Sequence, residues 1–132
     1  MSTLNVNGIK VSQIEDSLGN NGSSPSQIAI GRAKAWVSFD GTGSITKKSS
    51  HNVTSVSDEG TGIYKCSFAT NFSDNNYCPV IYNNATTGAV GVTSFGNNFG
   101  GGIELAVDNI KVSSYGSSFT DSSFFSVVIF AS

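Results

Sequence analysis

The sequence predicts an all-β protein, an antiparallel β-sandwich of jelly-roll-like type preceded by an extended N-terminal arm. Three observations carry this expectation. From Ala33 onward apolar and polar residues alternate with period two, the signature of half-buried strands. Turn-forming clusters recur along the chain at the spacing of a sandwich or barrel. No ten-residue window carries a convincing helical stripe.

The first stretch, Leu4 to Val11, alternates Leu4 and Val6, then Ile9 and Val11 after Gly8. "EDSLGNNGSSPS", turn-rich and nearly devoid of core residues, follows it. Four apolar side chains cannot offset the ordering entropy of such an arm, so it is expected to lie against the rest of the molecule or against another chain. The predicted organisation is therefore an attachment arm and linker over 1–31 and a sandwich knob over 32–132.

Strands are expected near 33–40, 44–48, 52–57, 62–69, 77–82, 89–95, 103–112 and 123–131. They are separated by "DGTG", "DEGTG", "NFSDNN", "NNATTG", "GNNFGGG" and "SSYGSSFTDSS", where Gly and Asn tolerate the positive φ of tight turns. In "GIYKCSFAT" Tyr64, Cys66 and Phe68 share one face while Lys65 and Ser67 take the other. The last strand is apolar on both faces: Phe125, Val127 and Ile129 point one way, Phe124, Val128 and Phe130 the other. Such a strand is central in a two-layer core or lies at a subunit interface.

Composition narrows the function. Hydrophobic residues make up 38% of the 132, and charged residues only 12%, about half the usual share. With 9 Phe, 4 Tyr and a formal charge of -2, the chain folds rather than staying disordered. Seven Lys and Arg, including the pair Lys47 and Lys48, are too few to make nucleic acid the expected partner. "MSTLNVNGIK" has neither a basic start nor an apolar core of a signal peptide, and no stretch is long enough to span a bilayer. A soluble protein made in a cytosol, with no membrane insertion, is the expectation.

Chemistry has little foothold. His51 in "KKSSHNVT" reads as a solvated loop residue, no Ser sits in a G-x-S-x-G elbow, and "GNNFGGG" lacks the Lys-Ser/Thr of a phosphate loop. Asp58 with Glu59, and Asp74 beside Asn75 and Asn76, miss the spacing of a calcium loop and read as turn formers. Cys66 and Cys78 form no CxxC pair; they read as two half-buried, reduced strand residues, with a cross-strand disulfide as the alternative. No catalytic residue, metal or cofactor is expected, and the protein is read as no enzyme.

Aromatic residues are the informative surplus. Trp36 alternates with Ala33, Ala35, Val37 and Phe39 and so falls on the outer side of its strand with Lys34, Ser38 and Asp40. Phe72, Phe99, Tyr115 and Phe119 fall in loops and are the candidates for a receptor-facing surface. Exposed rings would stack on sugars, a lectin-like reading, whereas packed ones would close the sandwich ends or fill an oligomer interface. Trp36, Phe124, Val128 and Phe130 are the expected subunit interface, with Trp36 covered by the arm or by a neighbour.

"STLNVNGIK" (2–10), "GRAKAWVSFDGTGSI" (31–45) and "HNVTSVSDEGTGIYKCSFATNFSDNNYCPV" (51–80) resemble small virion proteins and tail-fibre C-terminal modules of tailed bacteriophages. The likeness covers about residues 2–82 and then fades to a general β pattern. Cys66 and Cys78 depart from it, standing where small aliphatic residues are expected. The resemblance implies a non-enzymatic structural component of a phage particle, typically a homotrimer whose arm, Leu4, Val6, Ile9 and Val11, attaches it to other virion proteins. It implies a place on the tail or capsid surface after synthesis in the host cytoplasm, with a host cell-surface glycan as a further partner. Capsid decoration (a cement or head-fibre protein) and a lectin-like module are the alternatives.

Overall fold

The structure, a computed structural model, describes residues 12–16, 18–85, 104–114 and 118–132. The chain divides into two compact units, Met1–Arg32 and Ala33–Ser132.

Within the first unit, Ile14 and Ser23 exchange backbone hydrogen bonds, and the Asp16 carboxylate accepts from the amides of Leu18 and Asn20 at 3.0 and 2.9 Å. Those two amides, Asn20 first, hold the Asp16 carboxyl below its ordinary range. Where the sequence suggests only linker, residues Pro25–Gly31 form a short helix, α1. Its start is dictated locally. Ser24 caps it, accepting from the Gln27 amide at 3.2 Å while its own amide donates to the Gln27 side chain at 2.7 Å, and Pro25 presets the first helical φ.

The described residues of the second unit are all β. Its strands are β1 (Ala35–Asp40), β2 (Thr46–His51), β3 (Val53–Gly60), β4 (Ile63–Phe68), β5 (Cys78–Ala85), β6 (Glu104–Leu105), β7 (Asn109–Ser113) and β8 (Ser122–Phe130). Among the described residues they form two antiparallel four-stranded sheets, β2-β1-β8-β5 (sheet one) and β3-β4-β7-β6 (sheet two). The antiparallel sandwich predicted from alternation is what the chain forms, and strand order rather than a jelly-roll label describes its winding. The stretch 103–112, expected as one strand, is two. A tight turn, with the Ala106 amide donating to the Asn109 carbonyl at 3.0 Å, folds β6 back on β7. The strand expected over 89–95 lies outside the described residues.

Passage between the sheets occurs at Asn52, whose φ of 52° suits an Asn. Its side-chain amide donates to the Thr70 carbonyl at 3.1 Å and accepts from the Thr70 amide at 2.7 Å, locking β2 and β3 to the end of β4. His51 consequently ends a strand instead of lying in a loop, and it is exposed.

The core fills the space between the sheets. Ala35, Val37 and Phe39 of β1 and Phe125, Val127 and Ile129 of β8 face Tyr64, Cys66 and Phe68 of β4 and Ile110 and Val112 of β7. At its centre Phe39 and Phe125 stack 5.1 Å apart, and the Tyr64 ring stands edge-on to both at 5.1 and 5.4 Å. Each such buried aromatic contributes roughly 1.5–3 kcal/mol. An amide interrupts this apolar interior: Asn83 of β5 is buried, and among the described residues its side chain has no hydrogen-bond partner, an arrangement that costs about 1–3 kcal/mol.

Candidate interaction surface

Because the inner face of sheet one is packed with Ala35, Val37, Phe39, Phe125, Val127 and Ile129, alternation sends their neighbours outward. Register then joins these outward residues into rows that run across the strands. His51 is opposite Trp36, Trp36 opposite Val128, and Val128 opposite Val80. One row along, Ser49, Ser38, Ser126 and Tyr82 stand side by side, a hydroxyl on every strand of the sheet. Beyond it Phe124 is opposite Asn84, and on the other side Phe130 is opposite Cys78.

A bulge in the β1–β2 ladder between Ser38 and Phe39 leaves Lys48 as an extra residue on β2. Its ammonium stands 5.7 Å from the centroid of the Phe124 ring, and Tyr82 meets the same ring at 6.1 Å. The Asp40 carboxylate, at the β1 end of this face, accepts from the Thr42 hydroxyl and amide, which hold it below the ordinary carboxylate range.

The structure thus brings Trp36, Phe124, Val128 and Phe130 together on one face, each half-buried. It adds Val80 and Tyr82, 55% and 56% exposed, which complete the apolar surface on β5. Val80 and the serine row are invisible in sequence reasoning, because each strand separately reads as ordinary polar-apolar alternation.

The outer face of sheet two is built to the opposite specification. Ser57 is opposite Lys65, Lys65 opposite Lys111, and Lys111 opposite Glu104, with ion pairs Lys65–Glu59 at 3.5 Å and Lys111–Glu104 at 3.6 Å. Glu59 is held below its ordinary range first by the Ser57 hydroxyl and then by Lys65. These pairs contribute little stability, but they mark a face kept in water.

Of the loop aromatics, Phe72 does not join this surface. Phe72 packs at one end of the core, edge-on to Phe68 at 4.7 Å and 5.0 Å from Tyr77. Phe119 is half-buried. Phe99, Tyr115 and the arm residues Leu4, Val6, Ile9 and Val11 lie outside the described residues. The two cysteines are not equivalent half-buried residues: Cys66 is enclosed in the core, where burial pushes its thiol up to about 12, while Cys78 is exposed on sheet one, and both are free. Alternation assigns Cys66 to the interior, whereas Cys78 begins its strand on the outward side.

Asp58 and Asp74 each accept a backbone amide two residues on, from Gly60 at 2.9 Å and Asn76 at 2.7 Å, the work of turn formers. Among the described residues no group of three or more His, Cys, Asp or Glu side chains could hold a metal ion, and no helix is long and apolar enough to cross a membrane. No family model, curated protein or solved structure matches the chain.

Proposed function

We propose that this protein is a structural, non-enzymatic component of a bacteriophage particle that assembles with copies of itself and contributes to attachment at the host surface. The contrast between the two outer faces carries the assembly part of this reading. Sheet two presents ion pairs and hydroxyls, whereas sheet one presents Trp36, Val80, Tyr82, Phe124, Val128 and Phe130. Apolar side chains gathered on one face of a small protein, here crossed by a row of hydroxyls, support an interaction site. The particle part rests on the resemblance over residues 2–82, which implies a homotrimer attached through Leu4, Val6, Ile9 and Val11 and placed on the tail or the capsid surface.

One observation favours a second, lectin-like reading. Tyr82, more than half exposed, stands beside Phe124 next to a row of hydroxyls, a surface on which a pyranose could stack and hydrogen-bond.

Light scattering on the purified chain tests the assembly: the 13.7 kDa polypeptide should give a multiple of that mass at micromolar concentration. A clean monomer would remove the assembly reading. Imaging of labelled particles tests the location, and label on neither head nor tail would remove the particle reading. Glycan-array binding that disappears in Tyr82→Ala while the oligomer persists would favour the lectin reading.

A further inference from the structure

We infer that the outer face of sheet one docks face to face on the same face of a second copy of this chain, across a two-fold axis running along the strands between β1 and β8. The inference rests on the self-assembly proposed above, not on the homotrimer that the resemblance implies, since a two-fold contact closes at an even number of copies.

The row pattern is what selects a second copy. A face that packs on its own image must offer groups that pair with themselves. Apolar side chains do so, and so do hydroxyls, each of which both donates and accepts; a row of like charges does not. On sheet one the row across the middle of the face is entirely hydroxyl-bearing, Ser49, Ser38, Ser126 and Tyr82, and the row beside it carries His51, Trp36, Val128 and Val80.

Rotation about the stated axis exchanges the positions of β1 and β8. Trp36 of one copy then faces Val128 of the other, Ser38 faces Ser126 and Tyr82 faces Ser49, so that apolar meets apolar at the centre and hydroxyl meets hydroxyl along the whole serine row, while His51 at the edge of the other row faces Val80. Among the described residues the charged side chains of this face lie at its margins, Lys48 and Asp40 at one end and Lys34, just ahead of β1, at the other. The same rotation sets Asp40 against Phe124 of the second copy, the ring over which that copy's Lys48 ammonium stands 5.7 Å from the centroid. Opposite charges are thereby brought together at each rim. Two sheets packed in this way lie about 10 Å apart, with the twist of each setting their angle.

Ser126 is the most direct handle, since it is half-buried at the centre of the face and has an equivalent, Ser67, on the polar outer face of sheet two. Ser126→Lys should leave the thermal unfolding cooperative and raise the concentration of half-association roughly a hundredfold, while Ser67→Lys should leave it unchanged. In a Cys78→Ser background, Ser126→Cys should yield covalent pairs with a short bis-maleimide and Ser67→Cys should not. This second measurement decides the matter if the lysine variant fails to fold. A wild-type oligomer that survives Ser126→Lys and gives no Ser126→Cys cross-link would overturn the docking while leaving self-assembly in place. An odd-numbered assembly, such as a trimer, cross-linked instead through Ser67→Cys would do the same. A monomeric wild type would overturn both.

Discussion

Tyr64 on β4 reaches across the core so that its hydroxyl accepts the backbone amide of Ser122, at the start of β8, at 3.1 Å. The same hydroxyl lies 3.4 Å from the Gly41 carbonyl and 3.4 Å from the Asp121 carboxylate. One side chain of sheet two thus holds the start of β8, one of the two inner strands of sheet one, from across the core. Tyr64→Phe should keep the ring packing and strand the buried Ser122 amide, costing about 1–3 kcal/mol. Urea unfolding would register this as a lower midpoint with an unchanged slope, and an unaltered midpoint would refute the role.

Three buried groups predict alkaline instability. Burial raises the thiol of Cys66 from 9.0 to about 12 and the phenols of Tyr64 and Tyr77 from 10.0 to about 12. Each is neutral when protonated, and in this window the folded state holds more protons than the unfolded one. Their contribution is therefore complete below about pH 9 and declines as pH rises toward about 12. Unfolding free energy measured at intervals over that window should fall steadily, and the early part of the fall should be reduced in Cys66→Ala. A flat profile would contradict the burial of these groups.

The two thiols should react at very different rates. Cys78 is exposed and Cys66 is enclosed with its thiol pushed up by burial, so a thiol reagent should titrate one group per native chain and two after denaturation. Two fast equivalents in the native protein would mean that the core around Cys66 opens.

Gly62 occupies a left-handed position, φ +67°, in the β3–β4 turn, and its carbonyl accepts the Ser114 amide at 2.7 Å. A Cβ there would lie 2.8 Å from the Ser114 carbonyl oxygen and from the Thr120 amide nitrogen and carbonyl oxygen, all of them backbone atoms. Gly62→Ala should accordingly cost more than the ~1 kcal/mol of an ordinary strained φ, and thermal unfolding would reveal it as a Tm lower by several degrees. Wild-type stability in that variant would disprove the close approach.

Trp36 gives the assembly a separate test. Its strand is anchored by the inward Ala35, Val37 and Phe39, so Trp36→Ala should leave the fold intact and weaken association by about 2 kcal/mol or more. Sedimentation across a concentration series would detect the shift, and an unchanged association constant would take Trp36 out of the interface.

Alternation alone identifies the inward sets of β1 and β4, because a strand's side chains are forced to opposite faces whatever it pairs with; in β8, apolar on both faces, it separates two sets and only packing decides that Phe125, Val127 and Ile129 face the core. Helix α1 escapes a reading by periodicity although Ser24, Pro25 and Gln27 spell a capping box with a helix-starting Pro; seven residues are too few to display a helical stripe. The break between β6 and β7 escapes it too, since Val107 and Asp108 interrupt the ladder through a backbone turn without spoiling the alternation around them.

Which side chains of each strand share a face is thus written in the chain itself: the property is local, set by the pleat, and where one face is apolar the cost of leaving it in water turns that face to the core. That Trp36 neighbours Val128, and that Ser49, Ser38, Ser126 and Tyr82 line up in one row, emerges only when the sheets assemble. Strand order and register are settled by contacts between segments far apart in the chain, through core packing such as Tyr64 on Phe39 and Phe125, and no short window of sequence contains them.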